Sequence, residues 1–155
     1  MAQSPIVGPR ALIPNPALKP FEFLIGEWRT IGSHPQMPGK ALPGRTSFAW
    51  YEGGAFLIMR NQVDEEGFPD GVAILGSDES AGSFTMIYFD ERGVSRQMGV
   101  TPGNRTLTWR HDDSKFAQSL TITAQEDGTL VSKGKMSKDG GAWTDDLSQV
   151  FTRES

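Results

Sequence analysis

Turn signals recur along this chain at a nearly constant interval, and that rhythm limits the fold more than any other feature. Glu52-Gly53-Gly54, Glu79 to Gly82, Asp90-Glu91-Arg92-Gly93, Pro102-Gly103-Asn104, His111-Asp112-Asp113-Ser114, Glu126-Asp127-Gly128 and Lys138-Asp139-Gly140-Gly141 punctuate it. Between them lie strand-like runs rich in β-branched and aromatic residues: Glu27–Gly32, Thr46–Tyr51, Ala55–Arg60, Val72–Leu75, Phe84–Phe89, Val94–Val100, Arg105–Arg110, Phe116–Ala124, Leu130–Met136 and Trp143–Thr152. About ten strands spaced roughly 8–12 residues apart describe an antiparallel sandwich or barrel. Because nearly every connection is short, each strand pairs with its neighbour in sequence, and closing the sheet on itself removes exposed edges. The expected fold is all-β: a single closed up-and-down antiparallel barrel of about ten strands, wide enough to leave a cavity once its side chains are placed.

Two segments break the rhythm. Pro5, Pro9, Pro14 and Pro16 make residues 1–16 an extended N-terminal arm, since each proline fixes φ and removes a backbone donor. Leu18, Phe21, Phe23, Leu24 and Ile25 are too closely set for a strand between prolines and suit a short helical cap ended by Gly26, so the barrel domain is expected over 17–155. Ser33 to Gly44 is the longest irregular stretch within the body of the fold, the kind of segment that forms a lid or binding loop.

Composition removes several function classes. A chain of 155 residues fits one domain and buries a sizeable core. Without cysteine it has no disulfide, thiolate metal site or cysteine nucleophile, which agrees with a reducing cytoplasm. Net charge −4 without a clustered basic face gives no footprint for nucleic acid, even with Trp50, Trp109 and Trp143 available for stacking. No signal-peptide core and no apolar run of roughly 18 residues appears, so neither export nor a membrane span is expected, and a cytoplasmic monomer or homodimer is.

Gly26-Glu27-Trp28 after a helical cap, with Arg153 near the C-terminus, resembles the Gly-x-Trp signature of the calycin superfamily, which includes lipocalins, fatty-acid-binding proteins and the haem-binding nitrobindins. The resemblance implies a base tryptophan, Trp28, covered by Arg153 in a cation–π contact that shuts one barrel end. Trp50 to Leu57, Phe68-Pro69-Asp70-Gly71 and Tyr88 to Arg96 are also similar to a bacterial group of lipocalin-like domains, over roughly Pro20 to Arg153. Nitrobindins ligate haem through a histidine late in the chain, and none follows His111 here.

Alternation assigns an inside face. With Trp28 inward, Thr30 and Gly32 follow; Phe56 and Ile58 bring Arg60, Val94 and Met98 bring Arg96, Phe84 and Met86 bring Tyr88, and Phe116 and Leu120 bring Gln118. Inward Arg60, Arg96, Tyr88 and Gln118 in an apolar cavity, with His34 in the lid-like loop, compose a site for a small hydrophobic or amphipathic molecule with an anionic end. Arginine suits it because its fork meets a carboxylate in two parallel hydrogen bonds. The competing view of each arginine is a surface pair with Asp64, Asp90 or Glu91.

Other chemistries leave weaker marks. Two histidines without His-x-His or His-Glu-x-x-His spacing make no metal motif, and no Gly-x-Ser-x-Gly elbow exists. Asp78 with Glu79, and Asp145 with Asp146, point to opposite faces of a strand and read as solvated turn or surface groups. The expectation is a binding protein with no dedicated cofactor. Three alternatives stay open: an enzyme acting on a hydrophobic substrate through Tyr88, His34 or an inward carboxylate, a haem barrel using His34 or His111, and an interaction module.

Overall fold

The computed structural model describes residues 12–78 and 82–154, so most of the expected arm and part of the turn from Glu79 to Gly82 lie outside the described residues. Ten strands follow an N-terminal 3₁₀ helix, Pro16–Leu24, and a second 3₁₀ turn, Glu52–Gly54, joins two of them. They are β1 (Gly26–Ser33), β2 (Leu42–Tyr51), β3 (Phe56–Val63), β4 (Gly71–Ser77), β5 (Phe84–Asp90), β6 (Ser95–Gly103), β7 (Thr106–His111), β8 (Phe116–Ala124), β9 (Leu130–Lys138) and β10 (Thr144–Arg153). Each pairs antiparallel with its neighbours in sequence, and β1 pairs with β10 to close the barrel. The up-and-down barrel expected from the turn rhythm is therefore the observed fold. Among the described residues no helix is long and apolar enough to cross a membrane.

The cap begins with Asn15, whose side chain accepts from the Ala17 backbone amide at 3.0 Å. Leu18, Phe21 and Leu24 are fully buried beneath it, and Phe21 meets Phe84 edge-on with ring centroids 5.0 Å apart. Trp28 is 1% exposed; its indole N–H donates to the Leu24 carbonyl at 2.8 Å, which ties the cap to the first strand. Arg153, paired with Trp28 across the β1–β10 ladder, places its guanidinium 4.2 Å above the indole ring and donates to the Ile25 carbonyl at 2.7 Å. Gly26 has φ +144°, and a Cβ there would collide with that guanidinium, so glycine serves both the backbone and the approach of the arginine. This end of the barrel is solid.

Two boundaries differ from those read from the sequence. Leu42, Pro43 and Gly44 pair with Gly32, Ile31 and Thr30, so the expected lid from Ser33 to Gly44 shortens to 34–41. Pro43 is tolerated because it is the second residue of β2, where pairing with β3 has not yet begun. Strand β6 runs on through Pro102 to Gly103, past the expected turn at Pro102.

The third strand turns the other way from the expectation. Tyr51 pairs with Phe56 and Phe48 with Met59, so Leu57, Met59, Asn61 and Val63 face inward while Phe56 and Arg60 face out. Ala55 to Met59 is an unbroken apolar run, and such a run carries no alternation from which a face is legible.

Candidate functional site

The end opposite the cap holds a cavity of about 400 Å³, within the range of small-molecule pockets. Its apolar wall is built from Phe48, Met59, Met86, Met98, Trp109 and Ile122, all inward members of alternating strands. Four of the chain's six methionines, Met59, Met86, Met98 and Met136, line it, which gives the wall an adaptable thioether surface. The rim comes from the loops at the open end: His34 and Gln36 after β1, Gly67 to Pro69 after β3, and Arg92 after β5.

Arg96, Tyr88, His34 and Gln118 all line this cavity. Arg60 does not. It is exposed on the outer face of β3 and borders a separate shallow cleft with Arg45, Gln62 and Asp70, for the reason of register given above.

Tyr88 and Arg96 are directly paired on β5 and β6. The Tyr88 phenol donates to Asp90 Oδ2 at 2.7 Å, and Arg92 closes on the same carboxylate, Nη2 to Oδ2 at 2.7 Å. Burial and the bond to Asp90 push the Tyr88 phenol up to about 12. The Arg92 guanidinium, with the Tyr88 hydroxyl, holds the Asp90 carboxyl well below the usual carboxylate range. Asp90 and Arg92 thus neutralise each other at the rim. Arg96 stands apart: its guanidinium lies 5.0 Å over the Phe116 ring and, among the described residues, has no carboxylate within ion-pair distance.

A second polar cluster lines the same cavity. His34 Nδ1 accepts the Gln36 backbone N–H at 3.1 Å, which puts the ring proton on Nε2, where it donates to Asp146 Oδ1 at 3.1 Å. Gln118 donates to the other oxygen of Asp146 at 2.8 Å. Both His34 nitrogens are engaged, so the residue as arranged presents neither to a metal nor to a substrate proton. His111 does not line the cavity, and its Nδ1 lies 3.2 Å from the Gln97 carbonyl. The residues present do not fit a histidine-ligated haem, and no group of three His, Asp or Glu suited to a metal occurs among the described residues.

Sequence reasoning placed Asp146 among solvated surface groups and passed over Asn61, Gln149, Thr46 and Arg92, yet all five line the cavity. Asp145 and Asp146 do point to opposite faces, but only Asp145 reaches the surface, where it pairs with Lys135 at 2.5 Å. Asp146 turns inward at a β-bulge: the β9–β10 register shifts between Asp145 and Ser148, so Gly134 opposes two residues instead of one. The Leu147 carbonyl approaches within 2.6 Å of where a Gly134 Cβ would sit, so the bulge needs a glycine opposite. That pairing of Gly134 with an inward carboxylate was the available signal, legible only once the register is known.

No family profile and no curated relative matches the chain. Solved structures do. The crystal structure of Rv2717c from M. tuberculosis superposes with a TM-score of 0.64 at 17% identity, covering 90% of this chain and 98% of that one. The S-type phycobiliprotein lyase CPES from Guillardia theta gives a TM-score of 0.56 at 10% identity, covering 87% and 90%. Both likenesses are of the fold alone.

Proposed function

We propose that this barrel binds a small amphipathic molecule, its apolar body against the methionine and aromatic wall and its anionic end on Arg96. The observation that carries the reading is Arg96 itself, a guanidinium at the cavity wall with no carboxylate partner among the described residues. An arginine so placed has its fork free for a carboxylate, sulfonate or phosphate. With Arg92 neutralised by Asp90, the charges lining the cavity among the described residues are Arg96 and Lys138 against Asp146, in a chain whose net charge is −4. Tyr88 and Gln118 flank the anion position, and His34 holds the first loop across the mouth through Asp146. Likeness to a phycobiliprotein lyase barrel supports a ligand-holding role at the level of architecture.

Native mass spectrometry of the purified protein, alone and with dodecanoate added, tests this reading. A retained mass or a 1:1 dodecanoate complex is expected. A protein that carries no ligand and takes up no dodecanoate contradicts it.

A further inference from the structure

Away from the charged rim and from Gln118 and Ser119 on β8, a set of interior polar groups falls on one arc. Ser132 on β9, Gln149 on β10, Thr30 on β1, Thr46 on β2 and Asn61 on β3 occupy five strands that are consecutive around the barrel. Ser132 lies directly across the ladder from Gln149, and Thr46 directly across from Asn61. Thr30 lies between the two pairs and receives only a long 3.4 Å bond from the Gln149 amide. Facing them, β5 to β8 present Met86, Met98, Trp109, Leu120 and Ile122. The cavity therefore carries a polar stripe, Gln149, Thr46 and Asn61, set among the apolar Phe48, Met59 and Phe151 of the same strands.

The polar stripe is underused by the protein. Ser132 Oγ and Asn61 Oδ1 are buried without a hydrogen-bond partner among the described residues, although Ser132 is 0% and Thr46 only 4% exposed. Buried polar atoms are almost always partnered, because leaving one unpaired forfeits its bond to water for nothing. Of these two, Asn61 lines the cavity, beside Thr46 and Gln149, and its orphaned oxygen points to a ligand; Ser132 does not line it. Asn61 Oδ1 accepts and never donates, so its partner must bring a proton. A plain hydrocarbon chain cannot do this, and neither can an ether or ketone.

We infer that the ligand is a hydroxylated amphipathic acid, with hydroxyl groups along one side of its body meeting Thr46, Asn61 and Gln149. The inference rests on the proposed reading for the anionic end and adds the oxygenated flank. It also explains why the interior keeps hydroxyl and amide side chains where hydrocarbon would pack without desolvation cost.

Isothermal titration calorimetry with oleate and 9,10-dihydroxyoctadecanoate separates the two layers of the argument. Each neutral hydrogen bond is worth a few-fold in binding, so two favour the dihydroxy acid by roughly tenfold in the native protein. The double variant Thr46→Val, Gln149→Leu is expected to lose that preference while still binding oleate. Thr46→Ser, which keeps the hydroxyl, is expected to retain it and serves as the control if the double variant does not fold. Equal affinities, or tighter oleate binding, in the native protein overturn the hydroxylated-ligand inference and leave the anion reading standing. Failure of both acids to bind overturns both.

Discussion

Replacing Arg153 with alanine separates the seal of the closed end from the rest of the barrel. The substitution removes a cation–π contact at 4.2 Å and hydrogen bonds to the Ile25 and Phe23 carbonyls at 2.7 and 3.4 Å. A cation over tryptophan contributes about 0.5–1 kcal/mol at an exposed site and about 2 when desolvated. Arg153 is exposed on one side, so about 1 kcal/mol is the appropriate share. A hydrogen bond from a charged donor adds about 1.5 kcal/mol at the lower end of its range, and the longer one adds little. The sum is about 2–3 kcal/mol, or roughly 5–10 °C in Tm for a domain of this size. Chemical denaturation of the native protein, Arg153→Ala and Arg153→Lys measures it, with lysine expected near half the loss because it keeps the charge without the fork. A loss below about 0.5 kcal/mol in Arg153→Ala would refute the seal, since the contacts would then be no stronger than an ordinary surface pair.

Further outcomes follow from the same geometry. The depressed Asp90 carboxyl stabilises the fold fully above the unfolded carboxylate range, about pH 4, and loses that contribution as pH falls from there towards its lower folded value, so Asp90→Asn is expected to flatten the acid limb of a stability–pH curve. The raised Tyr88 phenol has the opposite sign: its contribution is whole below about pH 10 and is lost as pH rises towards the folded value of about 12. Absorbance titration of the tyrosinate band is expected to lose its latest component in Tyr88→Phe. Gly134→Val, which forces a side chain against the Leu147 carbonyl, is expected to cost about 1–3 kcal/mol or more, read by thermal unfolding. His34→Ala frees the 34–41 loop from Asp146, and hydrogen exchange is expected to accelerate there while the strand amides of β5 and β6 stay protected.

Much of the architecture was legible because it depends on local signals. Turns such as Asp90 to Gly93 and Glu126 to Gly128 mark strand ends by chemistry that operates within four residues. Clean alternation on β5, β6 and β8 brought Tyr88, Arg96 and Gln118 to the cavity wall. Arg60 failed for the converse reason, since Ala55 to Met59 is apolar throughout and the face is decided by the pairing of Tyr51 with Phe56. Asp146 was missed because its inward turn depends on a bulge, an insertion of one residue against the partner strand that no single-strand pattern records. Of the interior arc of Ser132, Gln149, Thr30, Thr46 and Asn61, alternation from Trp28 reached only Thr30, as the members come together only when β1 meets β10.

Arg96 is the residue on which the functional account stands, and a paired titration addresses it directly. Dodecanoate and dodecanol differ in the charged end alone, so the native protein is expected to bind the acid at least tenfold more tightly, and Arg96→Met to bring the two within a factor of two or three of each other. The same preference should weaken as salt is raised. If Arg96→Met binds dodecanoate as tightly as the native protein does, or if the native protein prefers the alcohol, the anion site is not at Arg96 and the account is wrong.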